Sequence, residues 1–501
     1  MSSNRQRLIV VSNRLPFTLG RQGDGSWKIR SGSGGLVTAL LPLLRDRGGT
    51  WIGWPGTSED GDNLEDALTQ ATHDAGYALK PVVLTTEEVH NFYLGFSNEI
   101  VWPLFHDMHS LCNFRPEYWR TYLNVNRKYA EVVAANSNGS DFVWVHDYHL
   151  MHVASELRRL GNRARLGFFL HIPFPPLDIF IKLPWRFPLL RALLEYDMIG
   201  FQTLRDHRNF LQCVRTLVKD ARVHGSGQVQ AIDVNGHEVR FGSFPISIDY
   251  NTFVEKASQP EVTDKVAELK SLFPNRQLVL GVDRLDYTKG IPDRLEAFRN
   301  ALVRYPELHE RITLIQVVVP SRVDIPQYHE LKTRIERLVG EINGQFTRPG
   351  GWVPIHYVFR SLARADLLAY YQAAQIALVT PLKDGMNLVA KEFCACSIEE
   401  DCVLILSEFA GAAAQLQRGA LLVNPYDIEG MADAIHYAIT MPAKERATRM
   451  RRMRRAIREQ DIFWWVDSFL RVAIAKELSD FPLPEDYVPR NEWLRDEVIP
   501  L

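Results

Sequence analysis

IALVTPLKDGMNLVAKE, residues 376–392, begins as an uncharged apolar run, turns through an acid, a glycine and an asparagine, and resumes as a stretch that carries Lys391 and Glu392. A short continuous apolar run bounded by turn residues reads as a strand buried on both faces, and the segment after DGMN reads as the helix that follows it. Strand, turn and helix in that order belong to a βαβ unit, the connection that parallel strands require.

The same unit recurs along the chain. LIVV (8–11), WIGW (51–54), VVL (82–84), FVWV (142–145), LGFFL (166–170) and MIGF (198–201) read as one series of buried strands. QLVLGV (277–282), ITLIQVVV (312–319), IHYVF (355–359), IALVT (376–380), VLILS (403–407) and ALLV (420–423) restart it. Between the series, DVNGHEV (233–239) carries an Asn-Gly hairpin signal. The polar segment DYNTFVEKASQPEVTDK (249–265) reads as a linker entering a helix. The expectation is an α/β protein of two Rossmann-like doubly wound domains, residues 1–250 and 251–460, with a C-terminal helix and tail, 461–501, packing back on the N-terminal domain. Ligands of such sheets bind beyond the carboxyl ends of the strands, which places the active site in the interdomain cleft.

Length and charge agree with this division. A chain of 501 residues exceeds what one core organises. Its 58 Lys and Arg against 60 Asp and Glu, a formal charge of -2, supply no global basic field for nucleic acid or an anionic membrane, so any bound anion must be held locally. The five cysteines, Cys112, Cys213, Cys394, Cys396 and Cys402, are scattered and odd in number, which argues against a disulfide framework or a structural zinc site and for a reduced, cytoplasmic chain. No long apolar h-region opens MSSNRQRLIVVSNR, and no later run of about 18 uncharged apolar residues follows, so neither export nor membrane spanning is indicated.

Several strand-end turns carry chemistry. SNR (Ser12 to Arg14) follows LIVV, and the adjacent glycines of SGSGGL (31–36) would let backbone N–H groups approach a phosphate at a helix N-terminus. The dinucleotide spacing is absent, because Val37 stands where its last glycine would be, so a nicotinamide cofactor is not favoured. HDYHLM (146–151) and HIPFP (171–175) bring His146, Asp147, His149 and His171 toward the first sheet. No H-E-x-x-H pattern or cysteine set accompanies them, so structural or substrate-facing histidines are preferred to a metal site. In GVDRLDYTKG (281–290), Arg284 and Lys289 lie between a strand and a helix, a fork and a point charge suited to a diphosphate. The competing reading is a surface ion-pair cluster with Asp283, Asp286 and Asp293. In the opening stretch, Asp384 and the N–H groups of Gly385, Met386 and Asn387 suit sugar hydroxyls, and the carboxylate of Glu392 can accept both hydroxyls of a ribose.

Taken in chain order, VVSNR, GGL, GFSNEIVWPLFH, HDYHLM, HIPFP, DRLDYTKG, INGQF, DGMNLVAKE, LSEFAGAA and DIFWWVDSFL resemble the trehalose-6-phosphate synthase family over nearly the whole chain. These are retaining sugar-nucleotide glycosyltransferases of GT-B architecture. The resemblance implies transfer of glucose from UDP-glucose to glucose 6-phosphate, giving α,α-trehalose 6-phosphate and UDP without a metal or other cofactor. It implies that Arg284 and Lys289 bind the donor diphosphate, Glu392 the ribose, and Asp384 with the N–H groups of Gly385, Met386, Asn387, Leu388 and Val389 the donor glucose. Gly34 and Gly35 would lie beside the leaving phosphate, Asp147 and His171 around the donor sugar and acceptor, and Arg14, Trp54, Tyr93 and Trp102 in the acceptor pocket.

The chain departs from the family in GEINGQF (340–346), where Glu341 stands at a position that commonly holds an Arg gripping the acceptor phosphate. An outward-turned Glu341, or one paired with Arg322 or Arg360, would leave glucose 6-phosphate as acceptor. DIFIKLPWR (178–186) also resembles the sister glucosylglycerol-phosphate synthases, whose acceptor is glycerol 3-phosphate. A non-catalytic sugar-phosphate-binding subunit is the reading from another class, and the intact Arg284, Lys289, Asp384 and Glu392 speak against it. No phosphatase-like module follows, so dephosphorylation is expected of a separate protein, and homo-oligomer formation is left open.

Overall fold

The structure is a computed structural model and describes residues 7–21, 27–31, 49–57, 76–322, 325–348 and 351–474, with single residues at 37, 40, 41, 44 and 72. Its chain divides into two units. Among the described residues, those up to Phe253 group with Lys383–Leu388 and the chain from Ile457, and Val254–Leu382 group with Val389–Ala456.

In the first unit the strands are β1 (Leu8–Arg14), β2 (Phe17–Arg21), β3 (Trp27–Ser31), β4 (Thr50–Trp54), β5 (Ala78–Pro81), β6 (Phe142–His146), β7 (Arg165–Phe169), β8 (Met198–Phe201), β9 (Arg222–His224), β10 (Val229–Val234) and β11 (His237–Ser243). Strands β2 and β3 pair as a separate antiparallel hairpin. The others form one sheet of order β5-β4-β1-β6-β7-β8-β11-β10-β9. Its pairs are parallel from β5 to β11 and antiparallel from β11 to β9.

Central strands carry continuous apolar runs because both their faces are covered. Ile9, Val10 and Val11 are wholly buried between β4 and β6. Gly167 and Gly200 leave a flat patch on β7 and β8 where the Phe469 ring lies, and an added Cβ would come within 3.2 Å and 2.8 Å of it. Phe469 belongs to the helix Ile462–Ile474, stacks on Trp144 at 4.4 Å between ring centroids, and is joined there by Trp465 at 5.2 Å from Trp144.

The Asn-Gly signal is realised as the β10–β11 turn, with Asn235 at φ 54° and Gly236 at φ 80°. VVL (82–84), expected as a strand, lies just past one. The edge pairing runs over Ala78–Pro81 and ends with Val82 N–H donating to the Gly53 carbonyl at 2.9 Å. Val82 and Leu84 are buried while Val83 is 40% exposed, so the run packs on the sheet without extending its ladder. The supposed linker at 249–265 is helical from Tyr250, because Asp249 accepts from the Thr252 N–H at 3.0 Å and caps the turn.

The second unit holds β12 (Gln277–Arg284), β13 (Ile312–Val319), β14 (Ile355–Phe359), β15 (Ile376–Val379), β16 (Val403–Ser407) and β17 (Leu421–Val423). Their order is β14-β13-β12-β15-β16-β17, parallel throughout. The first strand of this series lies third and the fourth beside it, so the chain reverses its winding between β12 and β15. Connections leaving β12 and β15 pass to opposite sides of such a sheet, and ligands bind at the crevice their carboxyl ends leave open.

Candidate active site

Arg284 is the exposed last residue of β12, and Lys289 lies buried at the end of the short 3-10 turn Tyr287–Lys289. Asp286 builds this turn by accepting from the Thr288 N–H at 3.0 Å and the Thr288 hydroxyl at 2.9 Å. Its other oxygen faces Arg322 at 3.5 Å and the Tyr328 hydroxyl at 3.4 Å. Burial alone would raise the Asp286 pKa, but the charges of Arg322, Lys289 and Arg284 outweigh it and hold the carboxyl below its usual range. Three cations around one carboxylate leave an excess of positive charge at the switch point. The surface ion-pair reading fails here, since Asp283 and Asp286 are 5% and 1% exposed.

The loops after β12 and β15 meet. Gly290, at φ 61°, lies where an added Cβ would come 2.5 Å from the Thr380 carbonyl, and Leu382 N–H donates to the Thr288 carbonyl at 2.8 Å. Beyond the β15 loop, the helix Leu388–Cys396 carries Val389, Lys391 and Glu392. The Tyr371 hydroxyl donates to Glu392 Oε2 at 2.9 Å. Burial raises the Glu392 pKa, with the Tyr371 bond and the Arg364 charge acting against it. Lys391 is fully buried, and burial brings it down to about 7.

Residues Lys383–Leu388 group with the first unit. Asn387 holds a left-handed φ of 75°, and its side-chain amide donates to Asp384 Oδ2 at 3.1 Å, which fixes both groups. Met386 is buried. A Cβ on Gly385 would lie 3.1 Å from Ile172 Cα and 3.2 Å from the His171 carbonyl carbon, so this glycine lets the DGMN segment lie against the backbone of His171. Asp147, at φ 75° beyond β6, donates its N–H to the Phe169 carbonyl at 2.8 Å and accepts the His171 N–H on Oδ1 at 3.2 Å.

The four histidine-turn residues separate into two groups. His171 Nε2 lies 3.2 Å from His146 Nδ1, and His171 Nδ1 lies 3.4 Å from Gln202 Nε2. Burial lowers the His171 pKa to about 3 and, with the neighbouring His171, lowers that of His146 as well. His149 instead stacks on Tyr93 at 5.8 Å. That ring belongs to a second cluster, where the Arg14 guanidinium lies 4.7 Å from the Trp54 ring centroid and 5.6 Å from that of Tyr93.

Arg14 is exposed at the end of β1, and Gly53 permits the close approach of β4 beside it. Tyr93 and Trp102 lie along Val89–Phe105, whose first part is wound with wide π-type turns: Trp102 N–H reaches the Ser97 carbonyl five residues back. Trp102 packs on Tyr148 at 5.8 Å and Tyr148 on His149 at 3.9 Å, so one aromatic wall joins Trp102 to Tyr93 and Arg14.

Gly34 and Gly35 lie outside the described residues. Glu341 points away from the arginines expected of it: half exposed on the helix Pro326–Phe346, it pairs with Arg299 at 3.8 Å and Arg337 at 3.6 Å, not with Arg322 or Arg360. Helical spacing explains Arg337, four residues earlier, while Arg299 comes from the neighbouring helix Ile291–Arg304. Arg322 sits on Asp286, with a left-handed φ of 48° that no sequence signal announced. Arg294 and Gln202 also escaped the sequence reading, since each carries out its role inside the fold. Among the described residues no three His, Cys, Asp or Glu side chains gather as a metal-ligand set.

A doubly wound sheet with paired cations at its switch point, and a largely parallel sheet bearing an aromatic-walled arginine, are the arrangement of a two-sheet glycosyltransferase. The family model for glycosyltransferase family 20 matches residues 6–474, and the chain belongs to that family. It is 43% identical over 474 residues to the trehalose-6-phosphate synthase of Mycolicibacterium vanbaalenii, covering 94% of this chain and 96% of that one. The solved trehalose-6-phosphate protein from E. coli bound with UDP-2-fluoro glucose superposes with a TM-score of 0.84 at 36% identity, over 93% of this chain and 99% of that one. An α,α-trehalose-phosphate synthase (UDP-forming) from Burkholderia xenovorans in complex with glucose-6-phosphate superposes with a TM-score of 0.83 at 34% identity, over 94% and 100%.

Proposed function

We infer that the chain is an enzyme transferring glucose from UDP-glucose to glucose 6-phosphate, with UDP and α,α-trehalose 6-phosphate as products. The observation that carries this reading is the Asp286-anchored turn, which assembles Arg284 and Lys289 at the switch point of the second sheet. On this reading the second unit takes the donor's diphosphate and ribose. Arg284 and Lys289 hold the diphosphate, and Glu392 accepts from the ribose hydroxyls. Asp384 and the N–H groups of Gly385, Met386, Asn387, Leu388 and Val389 hold the glucose. The first unit takes the acceptor, with Arg14 on the phosphate and Trp54, Tyr93 and Trp102 walling the ring.

Chemistry follows from this placement. The bond from glucose C1 to the β-phosphate oxygen breaks, a bond from C1 to the acceptor oxygen forms on the same face, and the acceptor proton passes to the departing phosphate. Negative charge grows on UDP, where two cations are already held in place, so little reorganisation accompanies the step. His171 is neutral at physiological pH and its ring is engaged on both nitrogens, so it positions its neighbours and moves no proton. Asp147 supports it by accepting the His171 backbone N–H on its carboxylate.

No metal enters this scheme, and activity is expected to survive EDTA. A cytosolic setting suits the five free cysteines, and a separate phosphatase would complete the route to the free disaccharide. UDP release measured side by side with glucose 6-phosphate, glycerol 3-phosphate and glucose tests the assignment. The highest kcat/KM belongs to glucose 6-phosphate, and a higher value for glycerol 3-phosphate would overturn it.

A further inference from the structure

Beneath the donor turn lies an arginine that touches no solvent and no expected ligand position. Arg294, 1% exposed on the helix Ile291–Arg304, donates through Nη1 to Asp283 Oδ2 at 2.5 Å and to Gln316 Oε1 at 3.2 Å. Its Nε donates to Thr380 Oγ1 at 3.0 Å, and its Nη2 to the carbonyl of Lys289 at 3.3 Å. Asp283 belongs to β12 and Gln316 to β13, Thr380 follows the end of β15, and Lys289 is the cation of the donor turn. One planar fork therefore binds two strands and both loops of the switch point.

Gly281 leaves the space this requires, since a Cβ there would lie 2.7 Å from Arg294 Nη1. A buried Arg–Asp pair is poor evidence for stability, because desolvating two charges offsets most of their attraction and apolar replacements of similar size fold as well. Its geometric content is different. Four acceptors on four chain segments fix the relative position of β12, β13, the Lys289 carbonyl and the β15 exit, which a greasy side chain cannot do.

We propose that Arg294 is a positioning residue for glucosyl transfer: through the Lys289 carbonyl and the Thr380 hydroxyl it sets where the diphosphate cation and the β15 loop stand. This rests on the reading of Lys289 as a diphosphate ligand. Arg294 reaches the reaction only through those groups, so its loss should move donor binding and turnover and leave the acceptor alone.

Arg294→Lys separates the two roles, because lysine still neutralises Asp283 but its single ammonium cannot span the four acceptors. Tm by calorimetry, UDP affinity by titration calorimetry, and kcat and KM for each substrate are measured beside Lys289→Ala. The expected result is a Tm within a few degrees of wild type, UDP affinity and donor kcat/KM reduced roughly tenfold to a hundredfold, and an unchanged acceptor KM. Should lysine prove unstable, the double variant Asp283→Asn/Arg294→Met removes the pair without leaving a lone buried charge, and the same donor-selective loss is expected. Wild-type UDP affinity and donor kinetics in Arg294→Lys, with Lys289→Ala impaired, overturn the inference alone. Wild-type UDP affinity in Lys289→Ala overturns the diphosphate reading and the inference with it.

Discussion

Replacing Gly385 by alanine adds one methyl group where there is no room for it. The residue lies outside the left-handed region, so the new Cβ meets no dihedral penalty and the effect is purely one of space. That Cβ would stand 3.1 Å from Ile172 Cα and 3.2 Å from the His171 carbonyl carbon, and nearer still to the His171 oxygen. Carbon atoms settle at about 3.5–4.0 Å, and these neighbours are backbone and cannot rotate away, so the DGMN segment must withdraw by on the order of 1 Å. A misplacement of that size in groups proposed to hold the transferred sugar costs about a hundredfold in rate, or about 2.7 kcal/mol in the transition state. The assay is continuous UDP release with both substrates, together with a calorimetric Tm. The expected outcome is kcat/KM down by about two orders of magnitude with little change in Tm. Turnover within about twofold of wild type would show that the contact of Gly385 with His171 does not set the position of the donor sugar.

Arg284→Ala or Lys289→Ala should each lower kcat at least about a hundredfold, since a lost charge-assisted contact to the leaving group is felt most in the transition state; near-normal turnover refutes the assignment. Glu392→Gln should raise the donor KM while leaving the acceptor KM unchanged, which initial-rate kinetics in both substrates decide. Lys391, lowered to about 7 by burial, binds fewer protons folded than unfolded between that pH and about 10.4, so its contribution to stability rises with pH across this window. Below it the contribution is constant. Urea melts at stepped pH should show Lys391→Met flattening that rise by up to about 1.4 kcal/mol per pH unit, and an unchanged slope would refute it. Glu341→Ala should change the acceptor KM and stability little, because its two ion pairs are largely solvent-exposed; a large rise in acceptor KM would place its carboxylate at the substrate after all.

Periodicity made most of the architecture legible. The runs at 277–282, 312–319 and 376–380 are buried on both faces of a parallel sheet, and such strands can be little else in sequence. VVL misled because an edge segment packed on a sheet carries the same apolar run as one paired within it. The candidate ligand residues were legible wherever they lay in strand-end turns, where Arg284, Lys289, Asp384 and Asp147 stand beside turn residues that a helix or strand would not spend. Arg14, Trp54, Tyr93 and Trp102 were legible only through the family resemblance, because an aromatic side chain reads equally well as core.

By itself the sequence determined where most strands, turns and helices fall, and hence the two largely parallel sheets, because these follow from spacing over a few residues. What it left open is which distant residues meet. Arg294 and Thr380 are separated by 86 positions, Gly385 needs its lack of a side chain because of a carbonyl from another strand's end, and Glu341 found Arg299 on a neighbouring helix. Hydrogen bonds and close approaches of this kind are fixed when helices and sheets pack. Their energies depend on distances of a few ångströms between segments far apart along the chain, and only the tertiary structure supplies those distances.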